Sequence, residues 1–279
     1  MSNNALDLYN LRLAVLIDAE NVPRNCIKSV LEEVAIYGTP TIKRIYGDWT
    51  NPTVAGWKAS LLENAITPIQ QYGYTTGKNS SDSAMIIDAM DILYSEKTDG
   101  FVIVSSDSDF TRLAIRLREA GQRVIGIGER KTPNAFIAAC DKFTYIEVIR
   151  AGGEEIRTEQ EEVSAVHEVQ REFDEGDSKQ NPQQREKHIT AARSKPGKIP
   201  ESVINLIAAS VADLGGDDGV VFMGELGNLI LKKQPDFDCR NFGFKSLSAM
   251  IKSIDRFETD FRQTADPNIK HVFVRDLEA

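Results

Sequence analysis

The sequence predicts an α/β protein, a mostly parallel sheet sandwiched by helices, followed by a charged connector and a smaller C-terminal unit. Three observations predict it. From Leu13 to about Ile149, short apolar runs of strand length alternate with segments of helical period, the signature of repeated βα units. Two of those runs, Ala14-Val15-Leu16-Ile17 and Phe101-Val102-Ile103-Val104, end abruptly in Asp18 and in Ser105-Ser106-Asp107-Ser108-Asp109. A buried parallel strand that ends this way points its carboxylate into the crevice at the C-terminal edge of the sheet. After Gly152-Gly153 the apolar density collapses until about Lys198 and then resumes.

Strands are predicted over Leu13–Ile17, Ile42–Tyr46, Thr67–Gln71, Phe101–Ser105, Arg123–Gly128 and Tyr145–Ile149. Between the first two, Pro23 opens a helix through Ile27, Val30, Leu31 and Val34 that Gly38 closes. Further helices are predicted over Val54–Asn64, Ser83–Ser95, Phe110–Ala120 with Gly121 as its stop, and Ala135–Cys140. The Glu- and Gln-rich stretch that follows cannot bury enough apolar surface to offset its ordering entropy, so a flexible connector is expected over 151–198. It separates a unit over 9–150 from one over 199–279. In the latter, Val203, Ile204, Ile207 and Val211 form a helical face, and helices Met223–Lys233 and Ser246–Ser253 precede a strand His271–Arg275.

Composition removes several classes of chemistry. The 279 residues suffice for one large and one small domain. The start lacks a basic and apolar leader and no apolar run approaches the roughly 20 residues of a membrane span, so a soluble, cytoplasmic protein without membrane association is expected. Cys26, Cys140 and Cys239 are far apart and form no C-x-x-C pair, which points to incidental thiols rather than disulfides or zinc. His167, His188 and His271 all lie beyond residue 150, so the acidic strand ends have no imidazole beside them in sequence and Ser-His-Asp or Cys-His catalysis is disfavoured. The net charge of -9 argues against a surface that is uniformly a nucleic-acid glue, although many of the acids crowd the connector.

What remains is carboxylate and metal chemistry. Two unit charges about 4 Å apart repel by roughly 4 kcal/mol at an effective dielectric near 20, so gathering Asp18, Asp107 and Asp109 calls for a counter-ion. A hard divalent cation, Mg²⁺ or Mn²⁺, turns that repulsion into binding. Asp82 joins from the first turn of the helix after Ser80-Ser81, and Asn21 follows Asp18 closely enough to orient its carboxylate. Four of the acids also have a purely structural reading: Asp82 as an N-cap, Asp109 as a cap for the helix at Phe110, Asp18 as an Asx turn, Asp88 as a solvated or supporting residue.

These residues resemble a known family. Asp18-x-x-Asn21, Ile45-Tyr46-Gly47-Asp48-Trp49, Lys78 four residues before Asp82, Asp88, the Ser105–Phe110 block and the Phe136…Ala139-Cys140…Phe143 run look like the NYN domain of the LabA-like group, a branch of the PIN-like nucleases. The resemblance implies a PIN-like sandwich that binds Mg²⁺ or Mn²⁺ at Asp18, Asp82, Asp107 and Asp109, with Asn21 beside them, and cleaves RNA. In the second unit, Pro200-Glu201-Ser202-Val203-Ile204, Met223-Gly224-Glu225-Leu226-Gly227, Pro235-Asp236-Phe237, Phe242-Gly243-Phe244-Lys245-Ser246-Leu247 and Val272-Phe273-Val274-Arg275 look like the OST-HTH or LOTUS domain. That resemblance implies a winged-helix-like module that binds RNA, single-stranded or G-rich and structured, or a protein partner such as a helicase.

Other signals are weaker. Gly126-Ile127-Gly128-Glu129 lacks the third glycine and the helix of a dinucleotide loop. Arg112 and Arg116 share a helix face and, with Lys78, are candidate phosphate contacts, against the alternative of a solvated face. Lys232, Lys233, Arg240, Lys245 and Lys252 are the basic concentration of the C-terminal unit and its candidate RNA-facing surface. The expected function is a metal-dependent ribonuclease targeted by its own RNA-binding module; the alternative is a catalytically weak or inactive RNA-binding scaffold. An aspartyl phosphatase is disfavoured, because Asp18-x-x-Asn21 is not followed by a second acid two residues on. Homo-oligomerisation is left open by the sequence.

Overall fold

A computed structural model describes residues 11–72, 80–152, 198–216, 219–263 and 270–279. Six strands, β1 (Arg12–Asp18), β2 (Thr39–Gly47), β3 (Thr67–Gln70), β4 (Gly100–Val104), β5 (Arg123–Gly128) and β6 (Lys142–Tyr145), pair in the order β3-β2-β1-β4-β5-β6, all parallel. The order reverses between β1 and β4, and that switch point is where an open parallel sheet leaves a crevice.

Both faces of the sheet are covered, which is why its central strands read as unbroken apolar runs. Leu13, Val15 and Ile17 face a core that includes Val30 and Val34 of α1 (Ile27–Tyr37) and Leu61 of α2 (Lys58–Glu63). Ala14 and Leu16 face the opposite core, with Met85 and Ala89 of α3 (Ser80–Tyr94), Leu113 and Leu117 of α4 (Thr111–Glu119) and Phe136 of α5 (Asn134–Ala139). The helix predicted over Val54–Asn64 splits into a 3-10 turn Pro52–Trp57 and then α2. Gly56 lies under the Arg24 guanidinium at the joint, where a Cβ would come within 1.6 Å of Nη1.

The strand predicted over Tyr145–Ile149 is a correction. The strand is the preceding segment, β6, and 146–152 is helical (α6). Ile146 and Ile149, three residues apart, both reach the core on the α1 side, a helical spacing that overrides the β-branched composition. Gly126 and Gly128 serve packing: a Cβ on Gly126 would meet the Phe143 ring at 2.5 Å, and one on Gly128 would meet the Ser105 carbonyl oxygen at 2.6 Å. Cys26 and Cys140 are free and buried, and burial pushes their thiols up to about 11 and about 12.

The C-terminal domain packs α7 (Glu201–Leu214), α8 (Met223–Lys233) and α9 (Leu247–Lys252) with a three-stranded antiparallel sheet, order β7-β9-β8. β9 (Lys270–Asp276) contains the predicted strand, whereas β7 (Val220–Phe222) and β8 (Phe257–Gln263) were not expected. Ser246 caps α9, accepting from Ala249 N at 3.2 Å. Lys78 and nearly all of the connector lie outside the described residues. Among the described residues no helix is long and apolar enough to cross a membrane.

Candidate metal centre

The acids meet at the switch point because the two central strands both end there. Asp18 closes β1, and Ser105 follows β4 directly, its N–H still donating to Ile127 O at 3.0 Å. Asp18 is almost fully buried, and its two oxygens accept four hydrogen bonds: from Glu20 N (3.0 Å), Asn21 N (3.3 Å), Asn21 Nδ2 (2.7 Å) and Ser105 Oγ (2.9 Å). Ser105 Oγ in turn accepts from Asp107 N at 3.1 Å. One buried hydroxyl thus ties the end of β1 to the acidic loop after β4, and the Asn21 amide holds the carboxylate as the Asp-x-x-Asn spacing suggested.

The loop after β4 is shaped by Asp107, whose Oδ1 accepts from Asp109 N at 2.9 Å and caps a 3-10 turn, Ser108–Phe110. The capping role considered for Asp109 therefore belongs to Asp107. Asp82, in the first turn of α3, is buried and lies across from this loop. One carboxylate oxygen from each of Asp82, Asp107 and Asp109 falls within 4.8 Å of the others. Asp18 stands outside that trio of oxygens.

Burial and charge crowding together perturb this site. Burial first, and then the charges of Asp18, Asp107, Asp109 and Glu20, push the Asp82 carboxyl up to about 7. A first-turn carboxylate ordinarily gains about 0.3–1 kcal/mol from the helix dipole, and here that gain is outweighed. Glu20, beyond the residues singled out from the sequence, is raised as well, by burial and by Asp18 and Asp48, with a hydrogen bond to Ser81 opposing the shift. Its signal was available in the run Asp18-Ala19-Glu20, an acid two residues beyond a strand-end acid. The donor set is all oxygen, without thiol or imidazole, which fits a hard divalent cation.

The remaining candidates fall elsewhere. Asp88 accepts from Arg44 and Tyr46 and pins α3 to β2. Asp48 stabilises its own turn, accepting from Thr50 N at 3.1 Å and Gln70 Nε2 at 2.9 Å. Arg112 and Arg116 are exposed on α4, where Arg116 approaches the Tyr94 hydroxyl at 3.5 Å. Lys232, Lys245 and Lys252 are exposed on the C-terminal domain, and Lys233 is paired to Asp213 at 2.6 Å. Arg240 leaves the basic set altogether, since its guanidinium is engaged by Glu33 and Asp238.

Comparison with known proteins identifies two domain families. The model of the NYN domain matches residues 12–147, and the model of the OST-HTH/LOTUS domain matches residues 195–269. No curated protein matches the chain. Two solved structures are similar to parts of it. A crystal structure of a protein of unknown function from Vibrio parahaemolyticus is 19% identical, with TM-score 0.43, covering 52% of this chain and 96% of its own. A solution structure of an uncharacterized protein from Nitrosomonas europaea is 28% identical, with TM-score 0.27, covering 36% of this chain and 91% of its own. NYN domains form a PIN-like nuclease family, and LOTUS domains suggest RNA binding. With its parallel sheet, its acidic switch point and its small C-terminal domain, this chain is an NYN-domain protein that carries a C-terminal OST-HTH/LOTUS domain.

Proposed function

We propose that the protein is a Mg²⁺- or Mn²⁺-dependent ribonuclease, with Asp82, Asp107 and Asp109 holding the cation, Asp18 and Asn21 supporting them, and the C-terminal domain supplying RNA affinity. The observation that carries this reading is the convergence of three carboxylate oxygens within 4.8 Å at the sheet switch point. When bound, the cation supplies charge neutralisation at the scissile phosphate and a more acidic attacking water. Asp82 gives up the proton that burial and the neighbouring carboxylates keep on it, and Asp107 and Asp109 present oxygens from a loop fixed by its own cap. Asp18 holds that loop through Ser105 and keeps the crevice negative. Lys232, Lys245 and Lys252 serve as phosphate contacts of the C-terminal domain, and Arg112 and Arg116, exposed on α4, as those of the NYN domain.

The test is cleavage of defined single-stranded and G-rich RNAs with Mn²⁺, Mg²⁺ or chelator, for the native protein and Asp107→Asn. Cleavage that needs the cation and disappears in the folded variant is expected. RNA binding without cleavage under every cation condition overturns the nuclease reading in favour of an RNA-binding scaffold.

A further inference from the structure

Strand β6 lies at the edge of the parallel sheet, and an edge strand presents main-chain groups with no strand to receive them. Here Phe143 N donates to Pro235 O at 2.8 Å, an acceptor from the C-terminal domain. Proline has no N–H to return, so the contact stops at one bond rather than extending the sheet. Around it, Tyr145 Oη donates to Asp236 Oδ2 at 2.7 Å, and Arg130 lies over the Tyr145 ring while donating to Asn241 Oδ1 at 3.2 Å.

The strongest contact is electrostatic. Glu33 of α1 is buried, with 5% of its surface exposed, and Tyr37 Oη donates to it at 2.7 Å. A hydroxyl brings no neutralising charge, and leaving a buried carboxylate unpaired costs several kcal/mol. Arg240 provides the charge from the other domain: Nη1 and Nη2 donate to the two Glu33 oxygens at 2.8 Å each, while Nε and Nη2 also reach Asp238, at 3.0 and 2.7 Å. Burial would raise Asp238, yet the Arg240 hydrogen bonds and the nearby Lys142 charge outweigh it and hold the carboxyl low. Burial pushes the Lys142 ammonium down, against the pull of Asp238 and Glu33.

We infer that the C-terminal domain is clamped in one orientation on the β6 edge by the Glu33–Arg240–Asp238 cluster, so that the two domains move as one body. The junction reaches the acidic crevice wall. Glu129 N donates to Ser106 Oγ at 2.8 Å, beside Asp107, and Arg130 is the next residue. RNA held by the C-terminal domain therefore meets the crevice at a set angle, a consequence that rests on the proposed function, whereas the docking itself does not.

Amide hydrogen exchange on the full chain tests the docking without reference to activity. Phe143 and the 235–241 segment are expected to exchange slowly. Arg240→Ala is expected to speed Phe143 exchange at least tenfold while β1 and β4 stay protected, and to enlarge the radius of gyration in X-ray scattering. Should Arg240→Ala unfold the C-terminal domain, Glu33→Gln on the other side of the pair carries the same expectation in direction. Phe143 exchanging like an unprotected amide in the native chain, or unchanged by both variants with the domains folded, overturns the clamp. Failure of RNA cleavage with slow Phe143 exchange would defeat the proposed function alone.

Discussion

Asp82→Asn removes one charge from the crowded trio without changing its shape, and its effect should appear only at high pH. The folded protein holds the Asp82 proton up to about pH 7, against an ordinary value of 3.8. Between those values the folded state binds more protons than the unfolded chain, so the site lowers stability progressively as pH rises. Asp107 and Asp109 oxygens lie within 4.8 Å. At that separation each pair repels by about 3.5 kcal/mol at an effective dielectric of 20, and by about 1 kcal/mol at that of water. Asp109 is exposed and Asp107 half-buried, so the relief falls toward the lower end, about 1–3 kcal/mol at pH 8. Thermal scans should show Tm rising by about 3–10 °C in the metal-free variant at pH 8, and no change at pH 5, where Asp82 already carries its proton. Millimolar Mn²⁺ should then raise the native Tm more than the variant's. An equal shift at both pH values, or a destabilised variant at pH 8, would refute the repulsion argument.

Three further outcomes follow from named contacts. Ser105→Ala deprives Asp18 of a donor and Asp107 N of its acceptor, and chemical denaturation should show a loss of about 1–3 kcal/mol together with weaker Mn²⁺ binding. Gly126→Ala drives a methyl into the Phe143 ring and Cys140 Sγ, and the same measurement should show a loss of about 1–3 kcal/mol. Lys232→Glu combined with Lys252→Glu should weaken RNA binding and flatten its dependence on salt, read by fluorescence anisotropy over a salt series, because fewer phosphate contacts release fewer counterions.

Most of the parallel sheet was legible because strands buried on both faces must be apolar throughout, and the acids that ended β1 and β4 marked its switch point. Local composition failed where tertiary burial chose the geometry. Tyr145-Ile146-Glu147-Val148-Ile149 reads as a strand by residue type, yet only a helix delivers Ile146 and Ile149 together to the core. β8 carried a readable signal in the alternation of Phe257, Thr259 and Phe261, masked by its charged intervening residues. Arg240 could not be removed from the basic set by reading the sequence, since its partner Glu33 lies 207 residues away. The setting of Asp18 is likewise three-dimensional: its spacing to Asn21 suggested the amide that orients it, whereas Ser105, which also donates to it, lies 87 residues away.

The most direct test of the metal centre is an anomalous diffraction map from crystals of the full chain soaked in Mn²⁺. A peak bounded by carboxylate oxygens of Asp82, Asp107 and Asp109, and absent from Asp107→Asn crystals soaked identically, is the expected result. A saturating soak that places no manganese in the crevice, or places it away from those three carboxylates, would contradict the assignment.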